Sequence, residues 1–193
     1  MNFPINASLA LVSSLFVACS SPTVKSTWKN PDHRGGGLTN IVVLMLDDLT
    51  EPIAMENEFR KVLDARGVVA VTGKSLGLHP SLKLDSAIVT QARRAGAQAL
   101  LVGHELGRET RDVTWSQTTR PGGPIAEEWS ASMFTLGQDK LALQFDVYLL
   151  QRSDRLWSSV TQIRIREDAD PASRLSSCAK VIVNRMKTDG IIR

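Results

Sequence analysis

The chain is poor in the residues from which active sites are usually built. Its two cysteines, Cys19 and Cys178, form no Cys-x-x-Cys pair, and neither has a histidine beside it, so nothing points to a thiol of lowered pKa. Of the three histidines, His33 and His79 have no spacing that links them to a serine or cysteine. A Gly-x-Ser-x-Gly elbow is also absent, which leaves nucleophilic hydrolysis without a motif. Charge of one sign is lacking too. The 23 Lys and Arg stand against 20 Asp and Glu and are spread along the chain, so the basic run of a nucleic-acid groove is missing. Charged helix positions such as Arg60, Lys61, Arg93 and Arg94 read as solvated faces.

A glycine is missing where a nucleotide site would need one. Gly73-Lys74-Ser75 copies the end of a P-loop, but the position five residues before Gly73 is Val68, and the loop between would be VAVT. That segment is apolar and β-branched, suits a buried strand, and lacks the glycine-rich nest of N–H groups that cradles phosphates. The motif reads as a strand and a turn, and no nucleotide, nucleic acid or other cofactor is expected.

What is present describes an exported globular protein. With 193 residues, 42% of them hydrophobic and 22% charged, the chain suffices for one ordinary core. Residues 7–18 (ASLALVSSLFVA) have the length of a signal-peptide core and are too short to span a bilayer as a helix. Small Ala18 precedes Cys19, and Phe16-Val17-Ala18-Cys19-Ser20 resembles the lipobox of bacterial lipoproteins. That resemblance implies a diacylglyceryl thioether on Cys19, cleavage before it, and acylation of the new amine. The competing reading is a plain secretory signal with an incidental cysteine. With Cys19 acylated, Cys178 has no partner, and no disulfide staples the domain.

The organisation expected is a signal peptide at 1–18, a flexible tether at 19–39 and a single α/β domain at 40–193. The tether expectation rests on Ser, Pro and Gly content and on the triple Gly35-Gly36-Gly37; Trp28 within it is expected to dock on its own fold. Residues 40–46 (NIVVLML) form a continuous apolar run suited to a parallel strand. A helix follows, with Thr50 as its N-cap, Pro52 in its first turn and Phe59, Val62 and Leu63 on one side, up to Gly67. A strand at 68–71, a helix at about 85–95 and a strand at 99–102 complete a parallel βαβαβ unit. Residues 107–129 are polar and broken by Pro121-Gly122-Gly123-Pro124, an extension of that strand into a ribbon or an exposed loop. Alternation in 141–151 and 156–166, with Arg152 to Arg155 between, gives an antiparallel hairpin. Leu175, Cys178, Ala179, Ile182 and Met186 form the stripe of a last helix stopped by Gly190, with Cys178 as core, and Ile191-Ile192 suggest a closing strand. The fold class expected is α/β, a two- or three-layer mixed sheet.

Taken together, Cys19, 27-TWKNP-31, 41-IVVLML-46, 59-FRKVLDARGVVAV-71, 97-AQALLVG-103 and 154-DRLW-157 resemble bacterial envelope lipoproteins of unknown function. Their fold is similar to the amino-terminal domain of the Tol-system translocation protein and to the lipoprotein activators of penicillin-binding proteins. The resemblance implies a non-catalytic binding module anchored in the outer membrane by lipid on Cys19, facing the periplasm and holding an envelope protein partner. Ser20, where some lipoproteins carry an inner-membrane Asp, fits that sorting.

One enzymatic alternative has a residue basis. Asp47-Asp48 follow the first parallel strand and His104-Glu105 follow the third, at the carboxyl ends where open α/β sheets place ligands. Asp47 and His104 would then share a divalent metal that activates a water. Neighbouring residues on a strand face opposite sides, so one of each pair at most shares a site easily.

Overall fold

Residues 40–45 are apolar at every position after Asn40. In the computed structural model of the chain they form a strand, β2 (Asn40–Met45), whose last five residues are all buried. A run like this is buried on both faces only where a sheet is covered on both sides. The structure describes residues 22–33, 36–46, 49–78, 86–114, 135–152, 154–165 and 170–193, with backbone alone at 109–114 and 135–139. Over these, the elements run β1 (Thr23–Lys29), β2, α1 (Pro52–Asp64), β3 (Val69–Thr72), a 3₁₀ turn (Lys74–Leu76), α2 (Ser86–Arg94), β4 (Ala99–Thr114), β5 (Thr135–Leu149), β6 (Asp154–Ile165) and α3 (Pro171–Thr188). The strands make one six-stranded mixed sheet in the order β1-β6-β5-β4-β2-β3. β2 runs parallel to β3 on one side and to β4 on the other, and the β4–β5, β5–β6 and β6–β1 pairs are antiparallel.

Alternation along the strands sorts the core into two layers. Ile41, Val43, Met45, Leu101, Phe145 and Trp157 face α1 and α3, which bring Phe59, Leu63, Ile182 and Met186. Val42, Leu44, Leu100 and Val102 face the other way, toward Ile88 and Ala92 of α2. At the centre of the first layer the Phe59 and Phe145 rings lie 5.2 Å apart, tilted by 42°. Gly103 lets this pair close down on the sheet, because a Cβ there would strike the Met45 sulfur and the Phe145 ring. Cys178 is fully buried in the same layer, as its place in the stripe of α3 requires.

Helix starts follow their capping chemistry, with one correction. The Asp170 carboxylate accepts from the Ser173 N–H at 3.0 Å and Pro171 opens α3. At α1 the cap position is Glu51, one residue later than Thr50, and it makes no side-chain cap bond; Pro52 fixes the first turn instead. The Thr50 hydroxyl accepts from Arg108 at 3.5 Å.

The flexible tether is the larger correction. Thr23–Lys29 is an edge strand, registered against β6 from Thr23 opposite Gln162 to Lys29 opposite Trp157, and Pro22 before it is already buried. Gly37 is equally fixed. A Cβ on it would lie 2.7 Å from the Ile192 and Arg193 backbone, and the Leu38 N–H donates to the Ile191 carbonyl at 2.8 Å. Leu38 and Ile192 form a parallel bridge, the only pairing Ile191-Ile192 make among the described residues.

Polar bonds to the end of α3 hold β1 where apolar contact is sparse. The Trp157 indole N–H donates to Asp189 Oδ2 at 2.9 Å, and Arg185 Nε donates to the same oxygen at 3.0 Å. Arg185 also donates to Thr27 Oγ1 at 2.9 Å, and Lys29 Nζ to the Asp189 carbonyl at 2.8 Å. An Asp189→Ala change leaves a buried indole N–H unpaired, a loss of about 1–3 kcal/mol. We expect a lower unfolding midpoint in denaturant together with faster hydrogen exchange at the amides of β1, and unchanged exchange there would refute the assignment.

Candidate functional site

Where the antiparallel strands run out from under the helices, the sheet opens into a groove of about 250 Å³. Its lining is apolar: Met55 from α1, Leu141 and Leu143 from β5, Ile163 and Ile165 from β6, and Leu175 from α3. Thr50, Glu51, Arg108 and Arg174 form the rim. Leu141 and Leu175 are only half-buried, packed at the margin of the main core, so the groove is an open extension of that core. Arg108 reaches the rim because the β4–β5 register slips between Glu105 and Gly107, which places Arg108 opposite Leu141 on the α1 and α3 side. The site offers apolar contact with two guanidinium groups at its mouth.

The opposite face of the same strands is polar. Asp146, 4% exposed, accepts from Gln144 Nε2 at 2.8 Å and lies 3.7 Å from Arg155 Nη1. The Arg155 guanidinium sits 5.1 Å from the centre of the Trp28 ring. Trp28 is thus 44% exposed on the sheet edge, where docking into a groove of its own fold was expected. Burial, reinforced by the Asp146 charge, pushes the Tyr148 phenol above its ordinary range.

Several sequence-selected residues are placed here and several are not. Cys19, Asp47, Asp48 and His79 lie outside the described residues. β2 and β4 are parallel neighbours with Met45 opposite Gly103, so the strands leading to Asp47 and His104 do lie side by side. His104 and Glu105 pair with Gln144 and Leu143 and take opposite faces, as alternation demands. Among the described residues no cluster of three or more His, Cys, Asp or Glu has the geometry to hold a metal. Arg93 is not merely a solvated charge, since its Nε donates to the Leu150 carbonyl at 2.7 Å.

Gly73-Lys74-Ser75 is a turn whose N–H groups are engaged within the fold. Gly73 donates to Val43 at 2.7 Å, Ser75 to Thr72 Oγ1 at 3.3 Å and Lys74 to Glu56 Oε2 at 3.1 Å. The other oxygen of Glu56 takes the Met45 N–H at 3.1 Å. Glu56, 4% exposed, escapes the apolar-stripe reading, yet it leaves a signal: it precedes Phe59 by three residues and Leu63 by seven, a carboxylate on the buried stripe of α1.

Burial raises the Glu56 pKa above its ordinary value against the lowering effect of those N–H bonds and Lys74. The protonated form is therefore relatively favoured in the folded chain. This group's contribution is full below its unfolded pKa and is lost as pH rises through the raised folded value. Relative to Glu56→Gln, which does not titrate, the wild-type chain should lose stability across that window. Denaturant titrations of both at a series of pH values read the difference, and parallel curves would refute it.

Burial likewise pushes the Cys178 thiol up to about 12. In a Cys19→Ser chain, Cys178 should react with a neutral-pH thiol reagent only after denaturant is added. Rapid native-state labelling would contradict its burial.

No protein-family model and no curated protein matches the chain. Among solved structures it is similar to the PelC dodecamer of Paraburkholderia phytofirmans, at 16% identity over 89% of this chain and 99% of that one, with a TM-score of 0.50. A point variant of that dodecamer aligns at 17% identity over the same shares, with a TM-score of 0.50. Lipoprotein GNA1162 of Neisseria meningitidis aligns at 13% identity over 78% of this chain and 99% of that one, with a TM-score of 0.47. The likeness to PelC is one of fold. Among the described residues no helix is long and apolar enough to cross a membrane.

Proposed function

We propose that this chain is a non-catalytic binding and assembly module of the bacterial cell envelope, held at the periplasmic face of the outer membrane by lipid on Cys19. The observation that carries the reading is the position of that cysteine. It follows a signal-like apolar stretch and stands only three residues before buried Pro22, so the anchor leads into the sheet almost directly. Three residues span at most about 11 Å. An anchor so short fixes the domain close to the bilayer and presents its edge strand and β4–β5 ribbon to proteins at the same surface. The PelC dodecamer makes assembly with further copies one form such binding would take. The resemblance to Tol-system and penicillin-binding-protein activator domains belongs to this reading.

The test is intact mass measurement of the protein recovered from bacterial membranes, beside a Cys19→Ser variant. The expected product begins at residue 19 with added acyl mass, and both features disappear in the variant. A soluble product cleaved elsewhere, without acyl mass, would overturn the reading. The adjacency of β2 and β4 keeps a metal-assisted periplasmic hydrolase as the competitor. It requires a stoichiometric divalent ion that is lost on Asp47→Ala or His104→Ala, read by elemental analysis of the purified protein.

A further inference from the structure

The groove and the start of β1 lie at one end of the sheet. β1 enters beside Gln162, and the next residues along β6 toward that end include Ile163 and Ile165, two of the groove's apolar walls. Strand residues advance about 3.3 Å each, so the walls lie within a few residues' length of Thr23. Three residues separate Cys19 from Pro22, a span of at most about 11 Å. Cys19 is thus only a short length of chain from an apolar slot.

We propose, resting on the lipid reading of Cys19, that this groove seats one of the acyl chains carried by Cys19 itself. The chemistry of the slot fits a hydrocarbon. Met55, Leu141, Leu143, Ile163, Ile165 and Leu175 bring only apolar side chains, and Arg108 and Arg174 at the rim can donate to the ester and amide carbonyls where the acyl chains join the cysteine. Glu51 on the same rim offsets part of the positive charge, which suits neutral carbonyl groups better than a free phosphate. Tethering decides the source. An acyl chain attached a few residues away is present at an effective concentration on the order of mM, and the same covalent link keeps it from leaving. Seating one chain leaves the others to hold the bilayer, and orients the groove end of the domain toward the membrane.

The test uses the full chain expressed in bacteria fed a fatty acid bearing a photoreactive diazirine, purified in detergent, irradiated and mapped by peptide mass spectrometry. The expected result is an intramolecular crosslink from the Cys19 lipid to the peptides carrying Leu141 or Leu175, with a yield independent of protein concentration. Leu175→Trp fills the slot and should abolish that crosslink while leaving the acyl mass on Cys19. Ile165→Trp at the half-buried end of β6 serves the same purpose if Leu175→Trp melts early. Acylated Cys19 whose crosslinks go only to detergent, to membrane lipid or to other segments overturns this inference and leaves the anchored-module reading standing. Groove labelling by the free fatty acid added to Cys19→Ser protein, with none from the attached chain in the wild type, overturns it as well and makes the slot a site for free lipid. Absence of acyl mass on Cys19 removes both.

Discussion

A helix rises about 1.5 Å per residue and a strand about 3.3 Å, and the difference governs this molecule. β4 and β5 run for 16 and 15 residues, about 50 Å each, whereas α1 and α3, with 13 and 18 residues, span about 20 and 27 Å. The sheet therefore outruns the helices that cover it. Near Phe145 and Trp157 the helices cover the sheet, and Leu143, Phe145, Val147 and Trp157 are fully buried. Near Leu141 the helical cover ends among the described residues, and the same alternating pattern that fills the core continues into the groove. The slot is the place where a helix of ordinary length can no longer follow its strands.

The other end of α3 is fixed by a different requirement. Trp157 is the largest fully buried side chain among the described residues, and its indole N–H must find an acceptor. Asp189, at the C-cap of α3, supplies it and at the same time draws in Arg185, which reaches across to Thr27. One carboxylate thus ties the core, the last helix and the edge strand together. β1 contributes little apolar area, with Val24 and Thr27 its half-buried positions, so it depends on its ladder with β6 and on these bonds. The segment that follows Cys19 is held by polar geometry more than by hydrophobic burial.

This explains what could be read in the sequence and what could not. Strands and helices with a strong period were legible: the all-apolar run of β2, the alternation of Leu143, Phe145 and Val147 in β5, and the stripe of α3 through Cys178. β1 was not, because TVKSTWK has neither alternation nor an apolar run, and its partner β6 lies some 130 residues away. Gly37 read as a flexible break since composition alone cannot distinguish a glycine that is free from one pressed against a backbone. The groove was invisible for a related reason. Its walls look like core residues in sequence, and only the relative lengths of strand and helix reveal that the helices of the described residues stop short of them. Arg108 reaches the rim through a register slip that no local pattern announces.

Glu56 shows how the fold divides its two halves. In open α/β sheets the carboxyl ends of parallel strands commonly hold ligands, since backbone N–H groups and loop side chains converge there. Here a side chain of the protein occupies part of that position. Glu56 takes the N–H groups of Met45, at the end of β2, and of Lys74, in the turn after β3, so donors that a bound anion would use are already satisfied from within. Its burial raises the cost of the charge, and the two N–H bonds return part of that cost, which keeps the pair of strand ends closed over the core. With that end of the parallel half tied down, the apolar groove lies on the antiparallel half, at the end of the sheet where β1 begins. On the proposed lipid reading of Cys19, this arrangement sets an apolar surface beside the anchor, the geometry that a membrane-held module requires.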